Sequence, residues 1–266
     1  AGIDLCKMYI GSWGTLGIIT QAVLRLFPLP EVRKSFCMPF TNYEDIFRLV
    51  AHLLNSVLTP SSIELIDWVA GRSLGDAYRS RLAEGEILLM VNTEGDNKAV
   101  ARHEKEINAL AEANKVRDVT IFEGEEATLA QDAYREVHQS ILSASPATIQ
   151  GKASVPISKL GNMFPSVKEI GKLHNVEIGI RAHCGNGVLF LYFAPRDEDV
   201  IRIIGDLRQA AIRLGGYFMV EAAPLWVRKK VDVLPQRNDY TLMKRLKREF
   251  DPNNILNPGR VAGGFY

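Results

Sequence analysis

Val176 to Phe193 reads VEIGIRAHCGNGVLFLYF, two runs rich in β-branched and aromatic residues on either side of Asn186-Gly187. Asn-Gly between such runs signals a hairpin, because a type I′ turn needs positive φ at both central residues. The pattern predicts strands over Val176 to Cys184 and Val188 to Phe193. With Asn186-Gly187 as the two loop residues, Gly185 pairs with Val188, Cys184 with Leu189 and His183 with Phe190.

Working outward, Thr148 to Val155 reads as a strand and Ser158 to His174 as a helix. Asp197 to Leu214 follows the hairpin as a helix, and Tyr217 to Glu221 closes the series as a strand. The order is β-α-β-β-α-β. The same order occurs upstream. Arg33 to Phe40 is its first strand, and the capping box Thr41-Asn42-Tyr43-Glu44 opens a helix with an Ile46, Phe47, Val50, Leu53, Leu54 and Val57 stripe. Strands over Ser62 to Trp68 and Glu86 to Thr93 come next. Asp96 then caps a helix burying Val100, His103, Ile107, Leu110 and Ala111, and Val119 to Phe122 is a short last strand. A helix over Glu125 to Ser143 joins the two series. Split βαβ units in tandem predict an α+β fold: a mostly antiparallel sheet with helices on one face, a duplicated ferredoxin-like (βαββαβ) domain.

The flanks differ. Ile18 to Phe27 alternates as a strand, with Ile18, Thr20, Ala22, Leu24 and Leu26 on one face, and Pro28 and Pro30 mark a boundary. Near the C-terminus, Val231 to Leu234 is short and apolar. Tyr240 to Phe250 is a basic helix with Leu242, Met243, Leu246 and Phe250 on its apolar side. Asp251 to Arg260, DPNNILNPGR, is a loop of Asx-turn and left-handed-tolerant residues. Residues 1–30, 31–224 and 225–266 are therefore expected to be three parts.

A net charge of +1 gives no electrostatic basis for binding nucleic acid or an anionic membrane. No run of 18 apolar residues is present, so no spanning helix is expected. The first residues lack the basic-then-apolar pattern of a secretory signal. Cys6, Cys37 and Cys184 are far apart with no C-x-x-C pair, which excludes a self-contained iron–sulfur cluster or structural zinc site and fits a reducing, cytoplasmic setting. The chain begins at Ala1 rather than Met, as a processed or truncated product would.

Gly11 to Gly17, GSWGTLG, is the first candidate site. A dinucleotide fingerprint needs a helix after its glycines, and a P-loop needs Gly-Lys-Ser/Thr; neither is here. The loop is either an anion-accepting backbone nest or a tight connection between strands. His183 is the second candidate, as a base or as a packed, hydrogen-bonded histidine. With Phe190 opposite it, a metal pair lacks its second imidazole, so no metal is expected. Arg135, on the helix bearing Leu129, Ala133, Val137 and Ile141, and Lys152, in an apolar strand, could each grip a carboxylate. Surface solvation is the plainer account of either. Glu221 is an acid in an apolar context.

Taken together, GSWGTLGIITQAVLRLFPLPE and FDPNNILNPGR at the two ends resemble the FAD-linked oxidases of the vanillyl-alcohol oxidase type. Ser154-Val155-Pro156, His183 to Gly187 and Gly215 to Glu221 lie between them in that family's order. This family holds glycolate oxidase flavin subunits and D-lactate and D-2-hydroxyglutarate dehydrogenases. The resemblance implies FAD as cofactor, with Gly11, Ser12, Gly14, Thr15, Gly17, Ile18, Asn257 and Arg260 against it. It implies a cap domain between the two flavin-domain segments, and a first flavin subdomain ahead of Ala1. Without that subdomain the chain alone is not expected to retain FAD.

The active site implied has Arg135 on the substrate carboxylate, with His183 and Glu221 as further catalytic residues. Metal-dependent members carry a second histidine across the hairpin and Glu-His-Gly after the next strand; Phe190 and Glu221-Ala222-Ala223 stand here. This metal-less pattern is most similar to the E subunit of glycolate oxidases, which implies a second flavin subunit and an iron–sulfur subunit as partners. Oxidation of a small 2-hydroxy acid follows, with attachment to the inner face of the membrane only through partners. The alternatives are a non-catalytic scaffold or electron-relay subunit, and a ferredoxin-like ligand-binding module.

Overall fold

The computed structural model describes residues 2, 4–74, 82–196, 198–234 and 239–259. The chain forms two compact units, Ala1–Pro28 with Asp232–Tyr266, and Leu29–Val231.

The larger unit is built on one eight-stranded sheet in the order β4-β1-β3-β2-β6-β7-β5-β8. Its strands are β1 (Val32–Phe40), β2 (Ser62–Asp67), β3 (Ile87–Gly95), β4 (Thr120–Glu123), β5 (Ile149–Ser154), β6 (Gly179–His183), β7 (Val188–Phe193) and β8 (Tyr217–Ala222). Every neighbouring pair is antiparallel. The order β4-β1-β3-β2 repeats, reversed, as β6-β7-β5-β8. The expected ferredoxin-like duplication is therefore observed, and the halves meet edge to edge where β2 pairs with β6.

Side chains alternate across a sheet, so each strand offers one set to each face. On one face Phe36, Leu65, Leu89, Ile180, Leu191 and Phe218 are fully buried. Helices α2 (Tyr43–Asn55), α4 (Asn97–Ala113), α6 (Leu160–Leu173) and α7 (Val200–Arg213) form a layer in which α2 packs on α4 and α6, and α6 on α7. Each such side chain taken from water contributes about 1.5–3 kcal/mol. Helix α5 (Gly124–Ala144), which links the halves, instead crosses the opposite face. Its Ala127, Ala130, Tyr134 and Val137 pack with Cys37, Met90, Phe122 and Tyr192. This face is only partly apolar.

Several local features depart from expectation. The cap of α2 is Asn42, one residue inside the expected box, accepting from the Glu44 N–H. Asp96 caps α4 as expected. The end of the strand expected over Ser62 to Trp68 turns into a short helix, α3 (Trp68–Gly71), because the Asp67 carboxylate accepts from the Ala70 N–H at 2.9 Å. The β6–β7 loop has four residues, and His183 is opposite Val188, with Arg181 opposite Phe190. Asn186 is absent from the left-handed residues and only Gly187 has positive φ (+79°), so no type I′ turn forms. Gly187 is instead drawn against the neighbouring segment: Val155 N–H donates to its carbonyl at 2.9 Å.

In the smaller unit, α1 (Leu5–Tyr9) was not foreseen, whereas α9 (Tyr240–Phe250) has the expected bounds. The strand expected over Ile18 to Phe27 is not formed. A strand exists through its ladder, and among the described residues none pairs with this segment. Val23 is 96% exposed and Leu26 87%. Val231 to Leu234 forms no regular element, while α8 (Leu225–Arg228) precedes it.

Candidate functional site

Charged and polar side chains gather at the seam between the halves. On the face crossed by α5, Glu64 of β2 stands opposite His183 of β6, and its carboxylate accepts from the His183 Nδ1–H at 2.5 Å. That bond fixes the tautomer and leaves Nε2 as the acceptor. Beyond Glu64 the polar row continues: Ser35 donates to Asn92 at 2.6 Å, and the Asn92 amide donates to Ser62 at 2.7 Å. Buried polar groups are tolerated because these bonds satisfy them. Tyr134 of α5 reaches down to the same seam, its hydroxyl 3.2 Å from the Leu65 carbonyl of β2 and 3.0 Å from the Ala182 carbonyl of β6. Between α5 and the sheet lies a cavity of about 390 Å³, lined among others by Glu64, Asn92, Gln131, Tyr134, Arg181 and His183.

Arg181 is the most buried of the arginines lining the cavity, at 7% exposure. Its guanidinium carbon lies 4.4 Å from the Tyr134 ring centroid and 5.3 Å from that of Phe190. Its Nη2 is 3.4 Å from His183 Nε2. Cys184, next along the chain, is fully buried. Burial, with the Glu64 charge second, pushes its thiol far up, so it offers no thiolate to the site.

The residues singled out in sequence are distributed unevenly. His183 and Arg135 both line the cavity. Arg135 lies at its rim, with a side chain 67% exposed and ion-paired to Asp132 at 2.7 Å. Glu221 is not brought to them. It lies on β8, three strands from β6, or about 14 Å at the usual strand spacing. There it accepts from Gln150 at 2.9 Å and faces Lys152 at 3.7 Å. Lys152 in turn lies 5.9 Å from the Phe190 ring centroid.

Glu64 and Arg181 were not singled out in the sequence, although each is a charge inside an apolar strand, Ile63-Glu64-Leu65 and Ile180-Arg181-Ala182. Charged residues are almost never buried unless paired, so that pattern was the available signal.

The donor set does not suit a divalent cation. Glu64 and His183 are two ligands, Phe190 fills the next position with its ring edge-on to His183 at 5.4 Å, and a guanidinium already lies beside Nε2. Among the described residues no three His, Cys, Asp or Glu side chains form a cluster.

In the smaller unit, the glycine-rich loop is held by the C-terminal segment. The buried Lys247 ammonium donates to the Thr15 carbonyl at 2.9 Å, to the Leu256 carbonyl at 2.7 Å and to Asp251. Asn257 donates to the Trp13 carbonyl at 2.7 Å. Glycine at 14 and 17 is explained by packing: a Cβ would lie 2.9 Å from Asn257 Nδ2 and 2.8 Å from the Tyr9 ring, respectively. Gly11, by contrast, faces open space at φ +82°. Ser12 and Leu16 are half-buried, Thr15 is buried, and Gly11, Trp13, Gly14 and Ile18 are exposed. The loop from Gly11 to Ile18 carries no charged side chain, and Trp13 and Ile18 are exposed along it. Arg260 lies outside the described residues.

Two ferredoxin-like halves fused at their edges, with acid, histidine and arginine gathered on that seam, define a large α+β cap domain of the flavin-oxidase class. The chain belongs to the family of FAD linked oxidases, C-terminal domain, which matches residues 29–261. FAD is the cofactor that the family's description names. Among its relatives are glycolate oxidase subunit GlcD of Bacillus subtilis (strain 168), 27% identical over 98% of this chain and 57% of that protein. A D-lactate dehydrogenase of Archaeoglobus fulgidus is 23% identical over 98% of this chain and 59% of its own length. The chain therefore spans less than two thirds of these relatives. In fold it is similar to p-cresol methylhydroxylase, at a TM-score of 0.67 and 18% identity over 98% of this chain and 58% of that one. Alkyldihydroxyacetonephosphate synthase gives 0.64 and 16%, over 97% and 49%. No helix among the described residues is long and apolar enough to cross a membrane.

Proposed function

We propose that this chain is the substrate-binding part of an FAD-dependent oxidoreductase for a small 2-hydroxy acid of the glycolate or D-lactate kind, its electrons passing to a partner subunit. The observation that carries this reading is the Glu64–His183–Arg181 row in one cavity. The names of the relatives support the substrate class, and "subunit" in one of them supports the partner. The proposed partners are a second flavin subunit and an iron–sulfur subunit, as in the E-subunit reading of the metal-less pattern. In the same reading residues 1–30 and 225–266 belong to the flavin domain, with the exposed backbone from Gly11 to Ile18 and Asn257 against the cofactor.

Held along the exposed backbone from Gly11 to Ile18 and Asn257, FAD would supply the acceptor for a hydride from the carbinol carbon. The protein supplies the rest. His183 Nε2 takes the hydroxyl proton, and the Glu64 carboxylate, already holding Nδ1–H, stabilises the imidazolium that forms. Cavity guanidinium groups hold the carboxylate through charge-assisted hydrogen bonds. Helix α5 packs on this face of the sheet, and Glu64 and Arg181 are buried there, so their charges are less screened by water than that of Arg135 at the rim.

One feature favours a second reading, a non-catalytic scaffold or electron-relay subunit: Phe190 closes the position beside His183. Anaerobic mixing of the whole FAD-loaded protein with glycolate or D-lactate separates the two. Flavin bleaching is expected, slowed about 10²–10⁴-fold by His183→Asn. Absence of bleaching leaves the scaffold reading in place, and bleaching as fast in His183→Asn as in the wild type removes His183 as the base.

A further inference from the structure

We infer that Arg181 anchors the carboxylate of a small monocarboxylate ligand in the seam cavity, while Arg135 at the rim contributes little. The inference rests on the hydroxy-acid reading of that cavity and identifies the charge it takes and the residue that takes it.

Two of the three arginines lining the cavity are already ion-paired. Arg33 pairs with Glu94 at 3.1 Å and Arg135 with Asp132 at 2.7 Å. Among the described residues, no carboxylate pairs with Arg181. A guanidinium stays protonated at any physiological pH, so it cannot escape burial by losing its proton, as a lysine would. A buried cation without a counterion is costly. Its aromatic neighbours offset part of that cost. They leave its hydrogen-bonding incomplete: Nε is buried with no acceptor. A buried guanidinium whose Nε–H lacks an acceptor, in a cavity of about 390 Å³, suits one carboxylate on a small molecule.

Geometry sets the approach. Tyr134 and Phe190 lie against the guanidinium, which directs an anion to its N–H edge. That edge includes Nη2, 3.4 Å from His183 Nε2. A carboxylate held there brings its α-substituent beside the imidazole. Arg135, two-thirds exposed and already paired, has little left to offer.

The test is an NMR titration of the isotope-labelled 266-residue chain with glycolate, following the His183 ring and the Arg181 Nε–H. Both are expected to shift saturably. Arg181→Gln should weaken binding at least tenfold and Arg181→Lys, which keeps the charge but loses the planar fork, at least fivefold. Arg135→Gln should change it less than twofold. The wild-type Nε–H shift stands independently of whether Arg181→Gln folds. No saturable shift in the wild type, no movement of the Arg181 signal, or equal weakening by Arg135→Gln overturns the inference. If glycolate binds through Arg135 alone, the inference fails and the hydroxy-acid reading survives. If acetate binds at Arg181 as tightly as glycolate, the anchor stands and the hydroxy-acid reading fails.

Discussion

Glu64 and His183 come from different halves of the duplicated sheet and meet directly across the β2–β6 ladder, hydrogen-bonded at 2.5 Å. They are 119 residues apart in the chain. The pair is therefore a product of the fusion of the halves, and neither half contains it alone.

Glu64→Gln keeps the side chain's shape and removes its charge. With the whole FAD-loaded protein, turnover of the hydroxy acid is expected to fall about 10–1,000-fold, because the imidazolium loses its counter-charge and the ring its fixed tautomer. Stopped-flow flavin reduction is the measurement. A rate within threefold of wild type would show that His183 acts without its partner, or not at all.

Tyr134→Phe removes only a hydroxyl that spans the seam. Burial pushes this phenol well above its ordinary value, so it remains a donor throughout the working pH range. Losing the bond should cost about 0.5–1.5 kcal/mol in urea unfolding. Hydrogen exchange should quicken at β2 and β6 and stay unchanged at β4 and β8. Uniform acceleration would mean that α5 stabilises the sheet as a whole.

His103, 7% exposed on the buried face of α4, has its value lowered by burial first and by Arg102 second. A histidine that is harder to protonate when folded binds fewer protons than in the unfolded chain. Stability from this group is thus complete above its unfolded value near 6.5 and declines as pH falls through the lowered folded value. The urea midpoint should drop as pH falls from about 6.5 to the lowered folded value, and His103→Phe should flatten this part of the profile. An unchanged profile in the variant would assign the acid sensitivity elsewhere.

Gly187→Ala should be among the harshest single changes in the β6–β7 loop. At φ +79° an added Cβ would lie 2.1 Å from the Val155 carbonyl oxygen, which is backbone and cannot swing away. Strain of about 1–3 kcal/mol is expected on conformational grounds alone, before any clash. Thermal unfolding measures it. A loss under 0.5 kcal/mol would indicate that the loop refits without the Val155 contact.

The element order was legible because apolar period changes from two to 3.6 along the chain and because Asn42 and Asp96 cap where their chemistry predicts a cap within one residue. The loop register was not. Asn186-Gly187 signals a two-residue turn locally, but the Val155 contact, which the loop sequence does not contain, holds Gly187 and gives four residues instead. Ile18 to Phe27 departs from its pattern for the converse reason: alternation supplies a strand's side chains, and among the described residues none supplies its ladder.

His183 and Arg135 could be picked out as candidates because their residue types suggest chemistry on sight. Glu64 and Arg181 could not be ranked above other charges, since what distinguishes them is burial and company. By itself, the sequence determined the duplicated βαββαβ order and the residues available for catalysis, because periodicity and capping act within about one helix or strand. Only the tertiary structure decided which of those residues meet. Two half-sheets joined at β2 and β6 place an acid, a histidine and a buried arginine within bonding reach, and leave Glu221 three strands away.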